Sequence, residues 1–99
     1  MKEVLTAFKQ NVKNLQQEVL NMLNDANKGN YSNYDLGLRI GDILYLKDSL
    51  CLELYTVNKQ ESVNSLDKRF IGNANLRLNE IELAALHISH IYGIPIRYQ

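Results

Sequence analysis

Residues 5–26 read LTAFKQNVKNLQQEVLNMLNDA, and the order of apolar and polar letters in that stretch decides the fold class. Leu5, Phe8, Val12, Leu15, Val19, Met22 and Ala26 stand alternately three and four residues apart. An α-helix turns once in about 3.6 residues, so this spacing lays all seven side chains along one stripe, where a strand would divide them between two faces. Lys9, Gln10, Lys13, Asn14, Gln16, Gln17 and Asn24 fill the gaps with groups suited to water. Gly29 follows Lys28 and suits the left-handed conformation that closes a helix, with Asn30 continuing the turn. The pattern predicts a first helix from about Lys2 to Lys28.

The same reasoning extends outward. Ser32 followed by Asp35 reads as a variant capping box, with Tyr31 placed to pack on Leu36, so a second helix starts there. Its apolar face is Leu36, Ile40, Ile43, Leu44, Leu50, Cys51, Leu54 and Val57, with Leu46 and Leu52 widening the stripe. Gly37 and Gly41 each weaken a helix by about 1 kcal/mol relative to Ala, which fits either a close helix contact or a frayed first turn. Asn58 with Glu61 offers a third cap, and Val63, Leu66 and Phe70 mark a shorter third helix stopped near Gly72. Residues 73–78 are then a connector. Asn79 with Glu82, and Leu78 against Leu83, open a fourth helix whose inward residues are Ile81, Ala84, Ala85, Ile88 and Ile91 or Tyr92. Gly93 and Pro95 end it, leaving Ile94 to Gln99 as a short extended tail. Four amphipathic helices with short connections predict a single all-α domain over residues 1–99, an antiparallel up-down four-helix bundle.

Composition bounds what such a domain does. With 99 residues, 45% hydrophobic and 22% charged, the chain is of ordinary globular make-up and long enough for one core. Lys plus Arg and Asp plus Glu both number 11, so no net field draws nucleic acid or anionic lipid from a distance. Cys51 is the sole cysteine and has no internal disulfide partner. Met1-Lys2-Glu3-Val4-Leu5 lacks the apolar run of a signal peptide, and no window reaches the ~18 apolar residues of a membrane span. The expected compartment is the cytoplasm.

Chemistry-bearing patterns are few. His87 and His90 share a helix face at a spacing that suits a metal, but no third ligand follows at the next turn, so no metal and no cofactor is expected. Cys51 reads as a small apolar filler, and Asp42 and Asp48 as solvated charges. The turn at Gly72 imitates a helix-turn-helix, yet the helix after it carries Glu80 and Glu82 and no Lys or Arg as far as Tyr92, which repels phosphate where DNA binding needs attraction. The chain reads as a binding protein without nucleic acid as partner, and not as an enzyme. Aromatic and basic residues gather in the C-terminal half, and Arg77, His90, Tyr92, Arg97 and Tyr98 are the candidate partner contacts.

Two stretches carry a resemblance. Asn75-Leu76-Arg77-Leu78-Asn79-Glu80 is similar to an apolar-basic-apolar connector followed by a cap and an acid, and Leu86-His87-Ile88-Ser89-His90-Ile91-Tyr92-Gly93-Ile94 to a helix ending in glycine and an apolar residue. Together they resemble the immunity proteins of pediocin-like (class IIa) bacteriocins, the enterocin A immunity family. Tyr92 before the glycine and Pro95 after it depart from that pattern. The resemblance implies a four-helix bundle that protects its producer from the cytoplasmic side by associating with the bacteriocin-bound mannose-permease receptor complex. It leaves the cognate peptide, the oligomeric state and any contact with the membrane surface open. The alternative is a small helical adaptor or antitoxin that neutralises a protein partner.

Overall fold

The computed structural model describes residues 2–58 and 65–98, and within them three helices: α1 (Lys2–Lys28), α2 (Asn33–Asn58) and α3 (Ser65–Tyr92). The first helix has the predicted bounds, and all seven stripe residues from Leu5 to Ala26 are buried. At its end Gly29 adopts φ 72°, the Gly29 N–H donates to the Ala26 carbonyl and the Asn30 N–H to the Asp25 carbonyl, the paired bonds of a left-handed helix stop. Ser32 Oγ accepts the Asp35 N–H at 3.1 Å, which caps α2 where the sequence placed the cap.

The four-helix expectation is corrected to three among the described residues. Gly72 does not stop a helix, and residues 73–78 are not a connector: both lie inside α3. Ile71, Ala74, Leu78, Ile81, Ala85 and Ile88 are all buried and repeat every three or four residues across the supposed break. Gly72 itself faces solvent and costs α3 about 1 kcal/mol, less than the ~2 kcal/mol or more gained by burying a leucine such as Leu78. Asn79 is therefore an exposed mid-helix residue and not a cap, and Leu83, expected to pack on Leu78, is 64% exposed. Glu61 and Val63, on which the expected third cap and the face of the short third helix depend, lie outside the described residues.

Ion pairs fix how the helices run. Arg39 on α2 binds Glu18 at 3.0 Å and Asp25 at 2.8 Å on α1, and Lys47 on α2 binds Glu82 on α3 at 3.3 Å. The Arg39 pairs join the first half of α2 to the second half of α1, as antiparallel neighbours require. The third helix runs antiparallel to α2, because the residues just after its end, Pro95 and Arg97, lie against Gly37 and Gly41 near the start of α2. Burial alone would lower the Arg39 pKa, but hydrogen bonds and charge from Asp25 and Glu18 outweigh it and hold it above its ordinary value. Lys47 behaves likewise: desolvation is overcome by Glu82, helped by Cys51 and Asp48. At one end Phe70 packs edge-on against Phe8 with ring centroids 6.1 Å apart, so α3 starts beside the start of α1.

The second helix keeps its predicted inner face with three amendments. Leu46 and Leu52 do not widen the stripe; they are 49% and 76% exposed, and Cys51 is half-buried. No helix among the described residues is long and apolar enough to cross a membrane.

Candidate functional site

The end of α3 is built from local chemistry. Gly93 takes φ 63°, its N–H donates to the His90 carbonyl, and the Ile94 N–H reaches back to the Ser89 carbonyl at 2.9 Å. Ser89 Oγ then donates to the Ile94 carbonyl at 2.6 Å. These bonds aim Ile94 inward, where it is 1% exposed, and Pro95 forbids a further helical turn. Residues 94–98 are left to run along the start of α2 as an extended strap.

Two glycines make the seat for that strap. A Cβ on Gly37 would overlap the Pro95 carbonyl oxygen, and one on Gly41 would overlap the Arg97 carbonyl oxygen. The Arg97 N–H donates to the Gly37 carbonyl at 3.1 Å. The glycines do receive a close contact, but from the extended strap and not from another helix as their spacing suggested. The Arg97 guanidinium lies 4.8 Å from the Tyr34 ring centroid, a cation–π contact. Tyr98 is 68% exposed and, with Gly41, Asp42 and Tyr45, lines an open depression of about 460 Å³.

Of the candidate contacts, the structure brings Arg97 and Tyr98 together on the strap. Tyr92 is half-buried behind them, edge-on to Tyr31 with centroids 6.1 Å apart, and its hydroxyl donates to Asn27 Oδ1. Ile91, the other candidate for the inward position, is 58% exposed, so the core takes Tyr92. His90 and His87 are exposed on the last turns of α3. Arg77 stands apart: it is 15 residues before Tyr92, about 22 Å along the helix, and its guanidinium sits 5.1 Å from the Phe70 ring centroid. The five do not form one patch.

Sequence reasoning missed Tyr34 and Tyr45, which flank the strap from α2. A signal for them existed, since two glycines four residues apart in a helix mark one face where another backbone comes close. Which segment comes close was not written there. Among the described residues no group of three or more His, Cys, Asp or Glu side chains is arranged to hold a metal ion.

No protein-family model matches this chain, and neither a curated protein nor a solved structure matches it.

Proposed function

We propose that this chain is a binding protein of the bacteriocin-immunity kind, protecting a bacterial cell from a pediocin-like peptide by associating with the peptide's mannose-permease receptor complex from the cytoplasmic side. The observation that supports this reading is the strap. Residues 94–98 are held on α2 by a buried isoleucine, a backbone hydrogen bond and a glycine seat, while Arg97 stays exposed and Tyr98 faces water. A segment fixed before binding loses little conformational entropy when a partner arrives, so its arginine and tyrosine contribute more of their contact energy to affinity. The resemblance rests chiefly on residues 86–94, because the other stretch, 75–80, lies inside α3.

The test is expression in a sensitive strain followed by challenge with a panel of pediocin-like peptides. The full chain raises the inhibitory concentration of at least one peptide, and a chain ended after Gly93 does not, although its helical circular dichroism persists. Unchanged killing across the panel overturns the proposal. Protection by the truncated chain overturns the role of the strap.

A further inference from the structure

Beyond the strap, the α1–α2 pair carries a second surface. Its two helices leave an open groove of about 390 Å³, lined by Asn11, Asn14, Leu15 and Glu18 from α1 and by Leu46, Ser49, Leu50 and Glu53 from α2. Neither α3 nor the strap lines it. Leu15 and Leu50 form a buried floor, and Leu46, half-exposed, stands in it. An aliphatic side chain laid on these three leucines is removed from water against carbon.

The charge on this groove has one sign. Glu18 and Glu53 are its charged lining residues, and no Lys or Arg faces it. Arg39 reaches Glu18 through the single oxygen Oε1 and also binds Asp25, so that cluster of three keeps a net negative charge. Glu53 has no ion-pair partner among the described residues. The lining runs over residues 11–18 of α1 and 46–53 of α2, about two helical turns or ~10 Å on each helix. Because α1 and α2 are antiparallel, Glu18 and Glu53 stand at opposite ends of it, with Leu15 and Leu50 between them.

From these features we infer that the groove seats a basic amphipathic helix of a protein partner. Two cationic side chains two turns apart meet Glu18 and Glu53, and an apolar side chain one turn from each fills the space over Leu15, Leu46 and Leu50. A helix is the occupant that fits, since a groove between two antiparallel helices offers the same apolar trough that α3 already fills on another side. Asn14 Oδ1 already accepts from Gln10 Nε2 at 2.8 Å, and the side chains of Asn11 and Ser49 stay hydrated or bond the incoming polar face.

Titration of the isotope-labelled full chain with synthetic alanine-glutamine helices tests this. One peptide carries two lysines two turns apart with leucines between them, and its control carries glutamates in place of the lysines. The lysine peptide should shift amide resonances of residues 11–18 and 46–53, and the glutamate peptide should not. Glu53→Lys and, separately, Leu46→Asn should each weaken binding about fivefold or more, and both sites are accessible enough to leave the fold intact. Equal binding of the two peptides, shifts confined to another surface, or insensitivity to both substitutions overturns the inference. So does concentration-dependent self-association abolished by Leu46→Asn, which assigns the groove to a second copy. Binding of the chain to anionic vesicles that is lost in Leu46→Asn assigns the groove to lipid and overturns the inference as well.

Discussion

Gly41 on α2 lies so close to the carbonyl of Arg97 that the smallest side chain has no room between them. That relationship predicts a change of sign. In the full chain Gly41→Ala forces the strap off its seat and lowers stability. In a chain ended after Gly93 the overlap is gone, and the same substitution raises stability by about 0.5–1 kcal/mol through helix propensity. Urea unfolding of the four proteins in the cycle measures it. Equal effects in both backgrounds would show that the strap does not press on Gly41.

Gly72 meets nothing within 4 Å of the position a Cβ would take, and it lies inside α3. Gly72→Ala therefore stabilises the chain by about 0.5–1 kcal/mol and raises Tm by a few degrees. Gly72→Pro breaks α3 and costs about 3 kcal/mol. Were Gly72 the end of a separate short helix, alanine there would destabilise instead, so the direction of the Tm change decides between the two architectures.

Lys47 provides a pH dependence. Its pKa is raised in the folded chain, because Glu82, Cys51 and Asp48 outweigh desolvation, so the fold binds that proton more tightly than the unfolded chain does. The stability this contributes is complete below the ordinary lysine value of about 10.4 and is lost as pH rises through the higher folded value. Denaturant unfolding at neutral pH and near pH 11 should show the wild type losing more stability than Lys47→Met. A parallel decline in both proteins would remove Lys47 as the cause.

Tyr92 is held twice, by its ring on Tyr31 and by its hydroxyl on Asn27. Tyr92→Phe keeps the ring contact and costs about 0.5–1 kcal/mol. Tyr92→Ala loses both contacts and loosens the turn into Gly93, so amide exchange at Ile94 rises in the alanine variant and changes little in the phenylalanine one. Equal exchange in the two would separate the ring from the anchoring of the strap.

The first helix was legible nearly to the residue because everything that makes it is local: an unbroken stripe from Leu5 to Ala26, and Gly29 at its end. The start of α2 at Ser32 and the stop at Gly93 were legible for the same reason. The division of α3 into two helices failed because glycine propensity is a weak term. Gly72 points to water while Ile71 and Ala74 on either side are buried, and that packing decides the matter.

The site was legible only in part. Arg97 and Tyr98 were singled out by type and do lie together, whereas Arg77, chosen by the same criterion, is spent on the Phe70 ring far along α3. Residue type gives no distance. The α1–α2 groove was not anticipated, since Leu46 looked like core until α3 took its place on another side of α2.

By itself the sequence determined the all-helical class, the ends marked by Ser32, Gly29 and Gly93, and the residues that face inward on α1, because a helix repeats every three to four residues and its caps act within one turn. Only the tertiary structure decided that there are three helices in the described chain, that Gly37 and Gly41 receive the strap, and that two glutamates flank an open apolar groove. Those outcomes depend on which surfaces meet, and contacts between distant residues are set by the packing of whole helices and not by any local run of side chains.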